Sequence, residues 1–182
     1  MSPVLHNPQP LEAVRRVVVG HDERGNAVVK SNELMYNEDM AIVPGAKSSA
    51  IWVTTDGLPT NDTNSMEDGA TRVIEPSENY GLVPPRGTNV RSTDLAPGAI
   101  TPMHRTSSVD YNILVEGEIV LITEDGAETH LRNPGDTVVQ KGTMHAWRNP
   151  GASWARWVSV LISAEPAVVN GRVLHPEFHQ PQ

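Results

Sequence analysis

The sequence predicts an all-β protein in which an antiparallel sheet is closed into a barrel or folded into a sandwich. Three observations lead to this prediction. Valine and isoleucine recur in short runs, and their β-branched side chains favour the pleated surface of a sheet. The 14 Gly and 15 Pro supply frequent turns between short strands. No segment sustains a helical hydrophobic period, and 182 residues fit one domain.

The N-terminal part predicts an arm, a hairpin and one further strand. Residues 1–13 are rich in proline and predict an extended arm. Residues 14–20 predict a strand, and residues 27–30 predict its antiparallel partner. The turn between them, at residues 22–26, contains Gly and Asn, which tolerate the positive φ angles of a tight turn. Residues 49–55 predict another strand.

The strand pattern weakens between residues 56 and 86. Residues 60–65 are polar throughout, and the two prolines within residues 81–85 exclude a helix there. A long irregular segment in a compact domain is often a lid or a binding loop, and an ordinary surface excursion is the alternative. The sequence leaves both open.

Strand and turn signals become regular after residue 87. Short apolar or alternating runs are separated by turns that contain Gly, as expected for a meandering antiparallel sheet. The predicted domain spans residues 14–170, and residues 171–182 are expected to form a C-terminal tail. Strands are expected at residues 89–95, 111–115, 119–123, 137–140 and 154–163.

Composition excludes several classes of partner. The formal net charge is −8 and the 14 basic residues are scattered, whereas a nucleic-acid or anionic membrane surface needs clustered Lys and Arg. No apolar run approaches the roughly 20 residues that span a bilayer. Prolines near the start interrupt any signal-peptide pattern, and the absence of cysteine removes disulfides and thiolate sites. A cytoplasmic protein with a small-molecule substrate is expected.

The segment 97–118 resembles the first sequence motif of the cupin superfamily. In that family a Gly is followed after five residues by His-x-His, then by a carboxylate, and after six further residues by a second Gly. Gly98, His104, Asp110 and Gly117 occupy those positions.

Residues 135–149 resemble the second cupin motif. His145 takes the place of the third His, and Asn149 closes the motif. Two motifs in the right order imply a single cupin domain, a jelly-roll antiparallel β-barrel preceded by the N-terminal arm, with the motifs within residues 87–163. The residues of both motifs are similar to those of fungal cupins associated with natural-product biosynthesis.

The resemblance implies a site formed by His104, Asp110 and His145. Cupins that bind a divalent metal usually supply three His and a Glu, whereas this chain has Thr106 at the second His position and Asp110 at the Glu position. Two His and one carboxylate are able to hold Fe, Mn or Zn with open positions. The same residues could instead form a metal-free acid/base set, since the His pKa lies near neutrality.

Three functions remain open at this point. The first is an enzyme that carries out decarboxylation, dehydration, cyclisation or isomerisation of a polyketide-like or aromatic acid. The second is an Fe(II)- or Mn(II)-dependent oxygenase, and the third is a cupin that binds a small ligand without turnover. The family resemblance also implies a homodimer.

The other polar and aromatic residues near the motifs are assigned structural roles. Arg105 follows a candidate His on a strand, so it should point away from the cavity. Tyr111 should likewise lie on the face opposite Asp110. Three tryptophans are expected to pack in the wall of the sheet rather than to stack on a ligand: Trp147, Trp154 and Trp157.

Overall fold

The computed structural model describes residues 10–77 and 79–179, and most of its regular structure is β-strand. The predicted all-β fold is confirmed. The strands are β1 (Val14–His21), β2 (Ala27–Met35), β3 (Glu38–Asp39), β4 (Ala46–Thr54), β5 (Thr88–Leu95), β6 (Met103–Arg105), β7 (Ser108–Glu116), β8 (Ile119–Thr123), β9 (Glu128–Leu131), β10 (Thr137–Lys141), β11 (His145–Arg148), β12 (Ala155–Ser163), β13 (Ala167–Val169), β14 (Arg172–Leu174) and β15 (Glu177–His179).

Two large sheets form the jelly roll. One has six strands in the order β10-β7-β12-β5-β4-β3, and the other has five in the order β15-β6-β11-β8-β9. Across residues 10–77 and 79–179, ladder hydrogen bonds do not join these sheets into a ring. The word barrel therefore describes the fold loosely. The remaining strands pair as two separate hairpins, β1-β2 and β13-β14.

The hydrophobic core lies between the two large sheets. Strand β7 shows the alternation that builds it, since Leu114 is fully buried whereas Tyr111 and Val115 on the other face are exposed. Burying a Leu or Ile side chain contributes roughly 1.5–3 kcal/mol, so a few such residues dominate the stability. The core cluster contains Val43, Ala46, Leu95, Leu114, Ile119, Leu131, Trp147, Ala155 and Trp157.

The predicted N-terminal hairpin is confirmed as β1-β2. In its turn, Asp22 Oδ1 accepts hydrogen bonds from the backbone N–H groups of Arg24 and Asn26. Buried Arg16 attaches the hairpin to the sandwich by donating from both terminal nitrogens to Asp68, at 2.6 and 2.5 Å. The part of the predicted arm at residues 1–9 lies outside the described residues.

The segment between β4 and β5 is irregular, as the sequence predicts. Its described part contains only short 3₁₀ turns, at Asp62–Asn64, Gly69–Thr71 and Asn79–Gly81. Asp62 fixes the segment to β4 by accepting from Trp52 Nε1 at 2.8 Å, and it forms a 2.7 Å ion pair with Arg72. No helix among the described residues has the length and apolar character needed to cross a bilayer.

The C-terminal residues contribute strands where the sequence suggests a tail. Strand β14 pairs with β13, and β15 adds to the edge of the five-stranded sheet beside β6. In that ladder Phe178 lies opposite His104. The C-terminal strand therefore reaches the residues that the cupin motif selects.

Candidate active site

A cavity of about 230 Å³ opens between the two sheets at one end of the core. It is smaller than the roughly 300–1,000 Å³ that is typical of sites for drug-sized ligands, which favours a small ligand. Its wall is mainly apolar and aromatic, with a few polar groups. The apolar part comes from Met40, Ala41, Ile42, Val43, Ala46, Tyr80, Leu82, Pro102, Trp147, Trp157, Leu161 and Phe178, and the polar part from Arg91, Thr93, Thr101, His104, Thr106, Asp110, Asn112, Gln140, His145 and Ser159.

The two candidate histidines are neighbours on adjacent strands. His104 on β6 is the register partner of His145 on β11, and their ring centroids lie 4.3 Å apart. Each ring donates from Nδ1 to a backbone carbonyl two residues earlier, Pro102 O and Thr143 O, both at 2.9 Å. A carbonyl only accepts, so the proton is on Nδ1 in each neutral ring and Nε2 keeps its lone pair.

Burial keeps both imidazoles neutral. Removal from water lowers the pKa of His145 to about 3, and the neighbouring His104 lowers it further as a second cause. Burial also lowers the pKa of His104, against the hydrogen bond to Pro102 O. At neutral pH the pair therefore offers two hydrogen-bond acceptors rather than positive charge.

Asp110 is the third sequence-predicted residue, and it lines the same cavity from the opposite sheet. Burial raises its pKa to about 6, although a hydrogen bond with Ser108 acts in the other direction. Its Oδ1 atom is buried and has no partner among the described residues. A carboxyl group with a pKa near neutrality is able both to give and to take a proton.

Gln140 lies directly across the ladder from Asp110 and was not selected by the sequence. Its Oε1 accepts from Asn112 Nδ2 at 3.0 Å, and Asn112 Oδ1 accepts from Ser159 Oγ at 2.6 Å. This chain of hydrogen bonds orients the Gln140 amide, whose buried Nε2 has no partner in the described part of the chain. A free donor therefore lies beside the unpaired acceptor of Asp110.

These donors do not fit a metal site built from three protein residues. Within the described ranges, no three or more His, Cys, Asp or Glu side chains are grouped so that they could hold a metal ion. His104 and His145 are adjacent, but Asp110 does not complete a ligand set with them. Thr106, at the missing His position, pairs its hydroxyl with Ser108 Oγ at 2.8 Å.

Arg91 is the least expected residue of the cavity. It lies on β5, where residues of both parities are buried, so alternation along the strand gives no signal that Arg91 lines the cavity. Its Nε donates to Ser48 Oγ at 2.9 Å. Burial lowers the pKa of Arg91 to about 10, which leaves it charged at neutral pH.

The residues with predicted structural roles lie largely as expected. Trp147 and Trp157 pack against each other in the core with centroids 5.8 Å apart, and they also line the cavity. Arg105 points away from the cavity, but β15 covers it. There it donates to His175 O at 3.0 Å and to Glu177 at 2.7 Å.

The family profile and the sequence relatives of this chain point to one family. The family profile described as Cupin domain matches residues 92–161. Phomopsin biosynthesis cluster protein D of Diaporthe leptostromiformis is 32% identical over 95% of this chain and 87% of its own length. The cupin-domain-containing oxidoreductase srdB of Neurospora crassa is 32% identical over 95% and 86%. A solved cupin-2 domain from Rhodospirillum rubrum aligns with a TM-score of 0.47 at 13% identity, covering 93% of this chain and 81% of that one.

Proposed function

The chain belongs to the cupin family, and on that premise we propose that it is an enzyme that transforms a small organic acid by proton transfer. One observation carries the proposal. Asp110, in the wall of a mainly apolar cavity, has a pKa raised to about 6, and it shares the cavity with two neutral histidines. Titratable groups with perturbed pKa values in a cavity are typical of active sites.

The proposed reaction is non-redox, of the decarboxylation, dehydration, cyclisation or isomerisation type. All four need a proton removed from, or delivered to, a carbon or oxygen of the substrate. Asp110 supplies or accepts that proton, because a group with a pKa near the working pH transfers it most effectively. The Nε2 atoms of His104 and His145 accept hydrogen bonds from substrate hydroxyls and so orient the substrate.

The proposed substrate is a polyketide-like or aromatic acid of secondary metabolism. Support comes from the aromatic cavity wall formed by Trp147, Trp157 and Phe178. Further support comes from the name of the Diaporthe relative, which refers to phomopsin biosynthesis. We place this enzyme in the cytoplasm.

Deuterium exchange tests the proposal whatever the product is, because it follows the transferred proton itself. The purified protein is incubated in D₂O with β-keto acids and hydroxylated aromatic acids, and proton NMR follows exchange at carbon and the loss of water or CO₂. Wild type is expected to accelerate at least one of these, and Asp110→Asn to reduce the rate by about 100-fold or more. The control is Tyr111→Phe, on the exposed face of the same strand.

Two outcomes would count against this function. Turnover that survives intact in Asp110→Asn would remove Asp110 from the chemistry. Tight binding of several acids with neither exchange nor turnover would favour a cupin that only binds its ligand.

A metal-dependent oxidoreductase is the second candidate. It is favoured by the name of the Neurospora relative and by the histidine pair, whose Nδ1 bonds to backbone carbonyls are the arrangement common in metal-binding His. Near-stoichiometric iron or manganese in the purified protein, lost in both His104→Ala and His145→Ala, would favour it over the metal-free enzyme, and consumption of O₂ with substrate would establish it.

A further inference from the structure

Arg91 is a half-buried cation without a carboxylate partner among the described residues. Among the ion pairs of the described residues, the buried arginines Arg16, Arg105 and Arg156 each contact an acidic side chain within 3.0 Å. Arg91 forms no such pair in residues 10–77 and 79–179, although its side chain is partly buried in the wall of the cavity. Pairing stabilises a charge that is partly withdrawn from water, so an anion that binds from outside would complete the surroundings of Arg91.

The orientation of Arg91 leaves its terminal nitrogens available. Nε donates to Ser48 Oγ at 2.9 Å, and Ser48 in turn donates to the backbone carbonyl of Ser92 at 2.6 Å. The bond to Ser48 holds the guanidinium plane and uses only one of its five N–H groups. The two terminal nitrogens present the fork that matches a carboxylate with two parallel hydrogen bonds.

We propose that Arg91 is the substrate-binding residue that holds the carboxylate of the acid. This inference rests on the proposed function and places the carboxylate end of the substrate at Arg91. Strand β12 separates β5, which carries Arg91, from β7, which carries Asp110. Two strand spacings amount to about 10 Å, so the carboxylate lies at one side of the cavity and the reacting atom at the other.

The wall beside these two ends is suited to an aromatic or polyketide-like body. On β12, Ser159 lies opposite Arg91 and Leu161 lies opposite Asp110, and Trp157 lines the same cavity two residues before Ser159. Arg91 also borders a second, more polar hollow of about 380 Å³ that contains Glu38. No ion pair joins Glu38 to Arg91 in the described residues, and Arg91 also lines the cavity that contains Trp147 and Trp157.

Binding of matched acids and amides tests the assignment. The probes are benzoate with benzamide, salicylate with salicylamide, and phenylacetate with phenylacetamide, measured by calorimetry at constant ionic strength. Quenching of tryptophan fluorescence reports whether a probe enters the cavity lined by Trp147 and Trp157. Wild type is expected to bind at least one acid about 10-fold or more tightly than its amide, as a charge-assisted bidentate pair requires.

Variants separate Arg91 from the general charge of the protein. Arg91→Met is expected to abolish the preference for the acid, and Arg91→Lys to keep part of it. Arg24→Met is the matched control, because Arg24 is exposed in the β1-β2 turn and its loss changes the net charge equally. Thermal unfolding checks that each variant is folded. If Arg91→Met does not fold, the acid preference of Arg91→Lys is the test.

The outcomes distinguish this inference from the proposed function. Equal binding of acid and amide by wild type in all three pairs, or an unchanged preference in a folded Arg91 variant, would overturn the role of Arg91. A preference that depends on Arg91, in a protein that turns over no acid, would uphold Arg91 and count against the enzyme. Turnover of an acid without any preference for acids over amides would uphold the enzyme and count against the role of Arg91.

Discussion

The raised pKa of Asp110 follows from its position on strand β7. The inner face of β7 presents Asp110 and Asn112 to the cavity, whereas Tyr111 between them faces outward. A short side chain on a strand fixed by ladders on both sides cannot reach water. Loss of hydration then penalises the ionised form, and the pKa rises to about 6.

The raised pKa predicts how stability depends on pH. Folded Asp110 holds its proton up to a pKa of about 6, whereas the ordinary value is 3.8, so the folded state binds more protons between these values. The free energy of unfolding therefore falls as pH rises through this window. Asp110→Asn lacks this loss. The free energy of unfolding of the variant minus that of wild type should therefore be about 2–3 kcal/mol higher at pH 7.5 than at pH 3.5.

Urea unfolding at the two pH values measures this difference. The buried histidines, whose pKa values are lowered, act in the opposite direction, but they are common to both proteins and cancel in the comparison. Asp125→Asn, at an exposed turn, is the control and should lack the gain. An equal stability difference at both pH values would show that Asp110 titrates normally.

The sequence could identify some site residues and not others for a physical reason. His104, Asp110 and His145 stand at motif spacings that one strand or turn fixes, so they can be read along the chain. Arg91 and Gln140 become site residues only through register across several strands, since Gln140 faces Asp110 and Arg91 faces Ser159. No local pattern encodes those pairings.

Among the elements of the fold, the tight turn between β7 and β8 packs closely against the start of β12. Gly117 joins β7 to β8 with φ +81°, and a Cβ added there would lie 2.9 Å from Ala155 Cα. The turn therefore needs glycine both for its backbone conformation and for the close approach of the chain that enters β12. This position is also the second Gly of the first cupin motif.

Substitution of Gly117 tests this element directly. Gly117→Ala is expected to destabilise the protein by about 2–4 kcal/mol, from the positive φ and the steric overlap together. Gly126→Ala is the matched control: Gly126 has the same φ of +81°, but nothing lies within 4 Å of an added Cβ. The free energy of unfolding of Gly126→Ala, measured in urea, should fall by only about 1 kcal/mol. Equal losses would contradict the close approach at Gly117.

Most strands could be predicted, and the misses have a common cause. The β1-β2 hairpin and the strands after residue 87 carry local turn signals and β-branched runs. Strand β15 carries neither, because it is three residues long and follows a proline. It exists through its non-local ladder with β6, which brings Phe178 to the cavity beside His104 at a ring distance of 6.2 Å.

The net charge of the whole molecule is negative, whereas Arg91 places one positive charge at one side of the cavity. The formal net charge of −8 repels anionic ligands at a distance, where salt screens the repulsion within about 10 Å. Arg91 supplies one positive charge inside the cavity, where the surrounding low dielectric strengthens a direct ion pair. Selectivity for a small acid would then arise from contact inside the cavity rather than from long-range attraction. The homodimer stays a prediction.

Proton transfer at Asp110 is proposed to proceed without a metal, and chelation tests this independence. The exchange or turnover rate with the best acid is measured for protein treated with EDTA and dialysed, and again after addition of Fe(II) or Mn(II). Because the chemistry is assigned to Asp110, with His104 and His145 as neutral acceptors, the rate should be unchanged within about twofold. A rate that chelation abolishes and Fe(II) restores would contradict metal-independent proton transfer and show that the reaction needs a metal.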